Sequence, residues 1–265
     1  MIILGSNGFI GNNLLNDLGG IGITKENYAG QDCDVLINAN GNSRKLLPET
    51  DPLTDFDLTV RNTMKSIMDF HFNIYIYVSS CEVYGDLSLK ENTKEETNID
   101  IFNVSRYGLS KYLAECIVKK YCKKWIILRL NGPIGPNMKK GPVYDISKGD
   151  HLWISAESKL QLIHTSYISK FIRFLLNKNI TNETINLTGN RQVSLRQVMQ
   201  TLKKDVDSPK HPLVIHNINI DKANTFMPIL SSMESVWLCP KSRLCPIRPF
   251  CTKSNLLAPK VPILP

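Results

Sequence analysis

Along this 265-residue chain, two hydrophobic textures alternate. Short apolar runs bounded by turn residues read as strands buried on both faces: Met1–Leu4, Gly22–Thr24, Val35–Asn38, Ile74–Val78, Trp125–Arg129 and Thr184–Leu187. Between them, apolar residues three and four apart predict helices over Asn12–Leu18, Phe56–Asp69, Ser105–Tyr121, Tyr167–Leu176 and Ser194–Leu202. Strand and helix in alternation predict an α/β fold, a doubly wound parallel sheet. Val214–Ile220 reads as a further strand and Ser231–Val236 as the start of a helix. No internal repeat or low-complexity segment interrupts the pattern.

The first strand runs directly into Gly5-Ser6-Asn7-Gly8-Phe9-Ile10-Gly11, followed by a helix that Gly19-Gly20 ends. A strand, a glycine turn and a helix N-terminus form a cradle for a pyrophosphate. Backbone N–H groups point at the anion, and missing Cβ atoms let it approach. The spacing is G-x-x-G-x-x-G rather than the commoner G-x-G-x-x-G. Gly5, Asn7, Gly8, Phe9, Ile10 and Gly11 are therefore candidate cofactor contacts. Further on, Tyr107 and Lys111 stand four apart on one helix, so their side chains share a face. An ammonium beside a phenol favours the phenolate and lowers its pKa from about 10. Such a phenol can exchange a proton with a substrate hydroxyl while a nicotinamide exchanges hydride. Ser80, at the carboxyl end of the Ile74–Val78 run, is placed to hold the substrate oxygen. Tyr144 and Lys148 repeat the Tyr-x3-Lys spacing but lack a serine-ended strand about one crossover upstream, which marks them as a decoy.

Taken in order, these motifs resemble the extended short-chain dehydrogenases/reductases, the NAD(P)-dependent sugar-nucleotide epimerase/dehydratase family. The resemblance covers about residues 1 to 205. It also rests on Asp34-Val-Leu-Ile-Asn-Ala39, Tyr77-Val-Ser-Ser-Cys-Glu-Val-Tyr-Gly-Asp86, Leu128-Arg-Leu-Asn-Gly-Pro-Ile-Gly-Pro136, Gln161-Leu-Ile-His-Thr165 and Ile185-Asn-Leu-Thr-Gly189 followed by Val193-Ser-Leu. It implies a Rossmann-like NAD(P)-binding domain over 1–131, completed by about 159–189, and a small substrate lobe from 132–158 and 190–236. It further implies a catalytic set of Ser80, Tyr107 and Lys111, with Asn38, Asn40 and Lys111 beside the cofactor. A sugar or nucleotide sugar would then lie against Ser80, Glu82 and Asn131. A homodimer formed through the helix that carries Tyr107 is implied on the same ground.

The chain departs from this family in two places. About thirty residues separate the start of the glycine loop from Val35–Asn38, too few for a second strand, a helix and a third strand. The sheet is expected to be one strand and one helix short on that edge, where the adenosine pocket is normally shaped. Lys25 follows the tip of the second strand, where an acid would bind a ribose 2′-hydroxyl. A cation there leans the cofactor toward NADP over NAD, against the alternative of an ordinary turn lysine. The second departure is Gly132, which stands where the family carries a sugar-nucleotide-contacting Asn. Either Asn131 takes that role, or the substrate is not a standard nucleotide sugar, or the segment is simply a rigid Gly-Pro loop. Ser80-Cys81-Glu82 replaces the Thr-Asp-Glu of the family's dehydratases, so keto-reduction or epimerisation ranks first, decarboxylation next and dehydration last.

Composition narrows the partners. With 42% hydrophobic residues and no apolar run near 18, no membrane span is expected. The chain opens on a strand, which predicts no signal peptide. Seven cysteines without paired spacing suit reduced thiols in the cytoplasm. The net charge of +8 is spread over dispersed lysine pairs, which points away from nucleic acid and toward an anionic cofactor and substrate. The last 29 residues, from Trp237, hold six prolines and three cysteines without periodicity and read as an irregular, disordered tail. Cys239, Cys245 and Cys251 lack a nearby His and do not match a zinc site, so no metal is expected. The rival to an enzyme is a degraded Rossmann scaffold that binds NADP(H) or regulates a partner.

Overall fold

In the computed structural model, residues 1–238 are described. β1 (Ile2–Leu4) passes through the glycine turn into α1 (Phe9–Leu18), and the chain returns as β2 (Ile21–Ile23) and then β3 (Asp32–Asn38). A helical stretch follows: α2 (Leu47–Thr50), α3 (Pro52–Phe56), a π-helical turn at Asp57–Arg61, and α4 (Asn62–Asp69). β4 (His71–Ser80) runs into a 3₁₀ turn at Cys81–Tyr84, and a second such turn, Lys90–Thr93, precedes α5 (Arg106–Tyr121). Next come β5 (Trp125–Leu130), β6 (Pro133–Ile134), α6 (Pro142–Lys148), β7 (Lys159–Leu160) and β8 (Ile163–His164). The described chain closes with α7 (Thr165–Asn177), β9 (Glu183–Leu187), β10 (Val193–Ser194), α8 (Leu195–Leu202), α9 (Asp221–Phe226) and α10 (Ser232–Leu238).

Six strands form one parallel sheet in the order β2-β1-β3-β4-β5-β9. Its strands alternate between two cores. Ile3, Ile37, Ile76, Val78, Ile126 and Leu128 face one apolar layer with α1 and α7. Ile2, Leu4, Leu36, Tyr75, Tyr77 and Ile127 face the other, with α4 and α5. Because both faces are covered, the strands are nearly continuous apolar runs. A third cluster gathers Ile134, Val143, Ile146 and Leu160 with Val193, Leu195, Val198 and Leu202, away from the sheet.

The chain leaves β1 for β2 on one side and reaches β3 on the other, so β1 is a topological switch point. The register pairs Leu4 with Asn38, Asn38 with Tyr77, and Ser80 with Leu130. Gly5, Asn40, Ser80 and Asn131 consequently emerge along one edge of the sheet.

The short edge expected from the residue count is present. After Ile23 the chain turns at Thr24, whose N–H donates to Asn27 Oδ1 at 2.6 Å, and enters β3 with no helix between. β2 is the edge strand. Some boundaries differ from the sequence reading. α1 starts at Phe9 rather than Asn12, because the backbone is extended at Gly8 and helical from the next residue. The helix expected from Phe56 begins at Pro52, where Asp51 accepts the Thr54 N–H at 3.0 Å. Val214–Ile220 is not a sheet strand. It makes a single parallel bridge, Ile215 beside Lys159, and its N–H groups are divided: His216 and Asn217 donate to the backbone carbonyls of Lys159 and Leu87, whereas Val214 donates to Ser158 Oγ, Ile218 to Gln161 Oε1 and Asn219 to Thr93 Oγ1. Cys239, Cys245, Cys251 and the rest of the expected tail lie outside the described residues, apart from 237 and 238, which finish α10.

Candidate active site

The glycine loop is built by close backbone contact. Gly5 takes a φ of +75°, and the Gly8 N–H donates to its carbonyl at 2.9 Å. A Cβ on Gly11 would stand 2.2 Å from that same carbonyl, so only glycine fits. α1 begins with no side-chain cap at Gly8 and no acid in its first turn. Its leading N–H groups are therefore left for an anion. Asn7 and Gly8 are exposed at this end, whereas Phe9 and Ile10 are half-buried and pack against the third cluster and the α1–α7 layer.

Ser105 fixes where α5 starts: its side chain accepts the Gly108 N–H at 3.1 Å. Tyr107 and Lys111 follow in the first two turns. Ser80 ends β4 and caps the short turn behind it by accepting the Glu82 N–H at 3.2 Å. The structure brings Ser80, Tyr107 and Lys111 together. Lys111 is 5% exposed, and its Nζ lies 5.5 Å from the Tyr77 ring centroid and 5.9 Å from that of Tyr107.

The electrostatics differ from the expected lowering of the phenol. Burial raises the Tyr107 phenol above its ordinary value, the Glu82 charge adds to this, and the Ser80 hydroxyl opposes it. Lys111 sits over the ring face, and burial lowers it to about 8, against the pull of Asp55 and Glu115. Tyr107 thus stands as a protonated donor at neutral pH, with Lys111 close to its own midpoint.

Beneath this trio lies a buried polar network. Arg129 bonds both oxygens of Glu115, with an Nη2–Oε2 distance of 2.7 Å, and Ser79 Oγ donates to Glu115 Oε1 at 2.6 Å. Arg129 also donates to the Tyr84 hydroxyl at 2.8 Å, and that hydroxyl donates to Asn186. The network ties the end of β4 to α5, β5 and β9.

Other sequence candidates occupy varied positions. Asn40 sits at the β3 end beside Gly5, and its N–H donates to Asn38 Oδ1 at 2.9 Å. Asn38 itself is buried below the surface, its amide donating to the Tyr75 hydroxyl at 2.7 Å, so it shapes the loop from beneath. Lys25 stands exposed past the tip of β2, 3.9 Å from Glu26. Glu82 accepts from Lys45. Asn131 is buried, its amide turned to the Gln161 carbonyl at 3.3 Å. The adjoining Gly132 has φ of +56°, and a Cβ there would be 2.1 Å from the same carbonyl. Close backbone packing therefore excludes an Asn from that slot.

Sequence reasoning missed Lys45, Lys140, His216, Asp55 and Glu115. Lys140 reaches across to Ser43, donating to its carbonyl and, at 3.2 Å, to its hydroxyl. This joins it to Arg44 and Lys45, whose charges, after burial, disfavour its ammonium. Burial lowers His216 to about 4, with Lys45 adding to this and Glu82 opposing it, so it is neutral at pH 7. No motif announces these groups, because separate elements carry them to the site: Asp55 comes from α3, Glu115 from α5, and Lys45, Lys140 and His216 from loops. Among the described residues no cluster of three His, Cys, Asp or Glu side chains is arranged for a metal, and no helix is long and apolar enough to cross a membrane.

Comparison with known proteins adds the family. The model of the NAD dependent epimerase/dehydratase family matches residues 24–187. No curated protein matches the sequence. Among solved structures, UDP-glucuronic acid 4-epimerase from Bacillus cereus, in complex with a fluorinated UDP-glucuronic acid and NAD, superposes with a TM-score of 0.72 at 16% identity, covering 89% of this chain and 96% of that one. UDP-glucose 4-epimerase from Thermotoga maritima, with UDP-glucose, gives 0.71 at 16% identity over 91% and 97% of the two chains. dTDP-4-dehydrorhamnose reductase from Bacillus anthracis, with NADP, gives 0.72 at 16% over 89% and 96%. The parallel sheet with its glycine turn, the serine-ended strand and the matched segment together carry one conclusion: the chain belongs to the NAD dependent epimerase/dehydratase family.

Proposed function

We propose that the protein is an NAD(P)-dependent oxidoreductase or epimerase that acts on a nucleotide sugar, with Tyr107 as acid/base. The observation that carries this reading is the convergence of Ser80, Tyr107 and Lys111 at the carboxyl edge of the sheet, beside a helix N-terminus left without a cap. The residues present fit a dinucleotide. The first turn of α1 would hold its pyrophosphate, with Gly5, Asn7, Gly8, Phe9, Ile10 and Gly11 around it, Asn40 alongside and Lys25 toward the ribose 2′ position. When bound, the nicotinamide supplies the acceptor or donor of hydride. Ser80 would orient the sugar oxygen. Toward an alcohol, the protonated Tyr107 would give its proton to the keto oxygen as the carbon gains hydride; toward a ketone, Tyr107 would first release its own proton to solvent and then, as phenolate, take the hydroxyl proton as the carbon loses hydride. Hydride returned to the opposite face would make the product an epimer; with a reduced cofactor and a keto sugar, Tyr107 as proton donor would serve reduction. Lys111 would hold its charge beside the phenol and stabilise the phenolate as it forms. Glu82 and Asn131 remain proposed substrate neighbours.

An anionic substrate is supported by the convergence of Arg44, Lys45 and Lys140, with Glu82 opposing them. The third apolar cluster supports a substrate lobe built from 132–158 and 190–236. Leu53, Phe56, Met68, Leu113 and Tyr121, all exposed on α3, α4 and α5, support a homodimer through these helices. The shortened edge favours a second reading, a protein that binds NADP(H) without converting a sugar. The test is incubation with a panel of UDP- and dTDP-sugars plus NAD or NADPH, followed by mass spectrometry and chromatography. A new epimer, or a product two mass units heavier, is expected for at least one sugar. Cofactor binding with every sugar returned unchanged would favour the second reading.

A further inference from the structure

Asp55, on α3, lies outside the Tyr-Lys motif and is 1% exposed. Its two oxygens accept from different partners: Ser110 Oγ donates to Oδ2 at 2.5 Å, and Asn42 Nδ2 donates to Oδ1 at 2.7 Å. Both donors are neutral, and two accepting oxygens suit an ionised carboxylate. Each partner adjoins Lys111 from a different side. Ser110 precedes it in α5. Asn42 follows Gly41, where a Cβ would stand 3.1 Å from Lys111 Nζ. We propose that Asp55 is a positioning residue for Lys111, gripping both the helix turn that carries it and the loop on which its ammonium rests, and holding that ammonium in its charged form.

The charged and titratable groups facing Lys111 decide which one matters. Asp55 faces it from α3, Glu115 and Tyr107 from α5, and Tyr77 from β4. Burial raises both phenols, so neither supplies negative charge at neutral pH. Glu115 gives both its oxygens to Arg129, which answers its charge. Asp55 spends its oxygens on neutral groups, so its charge remains available to Lys111. The two make no direct ion pair, and a buried carboxylate still acts across a short gap, because the interior screens charge less than water does. The sign follows: burial lowers Lys111 to about 8, Asp55 and Glu115 oppose that, and loss of the Asp55 charge lowers the midpoint further. With a native midpoint of about 8, the lysine titrates within reach of neutral pH, and the variant's balance would move toward the neutral form.

The proposal uses the reading of Lys111 as part of the relay only where activity is concerned, because its titration is measurable without cofactor or substrate. The test is NMR of protein carrying ¹³C,¹⁵N-lysine, with the Lys111 signal assigned through Lys111→Met. Asp55→Asn should lower the Lys111 midpoint by about one unit or more, the usual size of a close-charge effect. Asp55→Glu should restore most of it. Asp55→Ser, smaller and also neutral, provides the same measurement if the amide prevents folding. A neutral variant that folds and leaves the midpoint unchanged would overturn the proposal, since a merely structural Asp55 would alter melting alone. If turnover is detected, its high-pH limb should move down with the midpoint. A moved midpoint with an unmoved limb would count against Lys111 in the relay and leave the role of Asp55 standing.

Discussion

Lys148 Nζ stands 5.6 Å from the Tyr144 ring centroid in α6, much as Lys111 stands 5.9 Å from that of Tyr107 in α5. Helical spacing alone produces both pairs. The difference is what surrounds them: Tyr107 has Ser80 and Glu82 at the end of a buried strand, whereas Tyr144 packs against the third apolar cluster. Tyr107→Phe removes the donor but keeps the ring, so turnover should fall by at least about 10²-fold, with cofactor affinity nearly unchanged. Tyr144→Phe should change turnover little, and native turnover in Tyr107→Phe would remove the assignment. Ser80, Tyr107 and Lys111 were legible because spacing and strand position both betray them. Lys45, Asp55 and His216 were not, since their proximity to the trio depends on how distant loops and α3 pack around it. The protonation of Tyr107 was also hidden, because desolvation is a property of the packed site, and it raises the phenol against the Ser80 hydrogen bond.

Among the elements, the glycine loop separates packing from binding. A Cβ on Gly8 would meet the Gly5 carbonyl at 3.2 Å, whereas one on Gly11 would meet it at 2.2 Å. Gly8→Val should therefore lose cofactor at a modest cost in melting temperature, because the Gly5 carbonyl must give by only a few tenths of an ångström, whereas Gly11→Ala should lose far more stability. Calorimetric melting beside a cofactor titration reads both outcomes; equal collapse of the two variants would make Gly8 a packing residue with no bearing on nucleotide. At the tip of β2, Lys25 is exposed, and its one ion pair among the described residues is with Glu26 at 3.9 Å. One charge-assisted contact is worth about 1.5–3 kcal/mol, roughly ten- to a hundredfold in affinity. Lys25→Glu should weaken NADPH by that order and spare NADH. Equal loss of both would end the lean toward NADP. The six sheet strands were legible from their apolar runs, and the missing edge from counting residues before β3. Val214–Ile220 misled because an apolar run cannot reveal that it will make one bridge only, with the Ser158, Gln161 and Thr93 side chains taking three of its N–H groups. The short α6 was missed as well, since seven residues opened by Pro142 carry too little periodicity.

For the whole molecule, the sheet places the site and the outer helices offer a way to pair. Leu53 is 79% exposed on α3 and Leu113 is 38% exposed on α5, beside Met68 on α4. Light scattering after gel filtration should give twice the chain mass, and Leu113→Glu should return the monomer with its fold retained. A native monomer at micromolar concentration would remove the dimer. The division between sheet and lobe was readable only coarsely, since β6, β7, β8 and β10 are two residues each and carry no period of their own. The central claim is that the uncapped start of α1 and the relay beside it serve a nicotinamide dinucleotide. Its most direct test is titration of the purified protein with NADH and with NADPH, following cofactor fluorescence, with Gly8→Val as the control. The account predicts saturable binding of at least one cofactor by the native protein and its loss in Gly8→Val. Binding of neither cofactor by the folded native protein would contradict it.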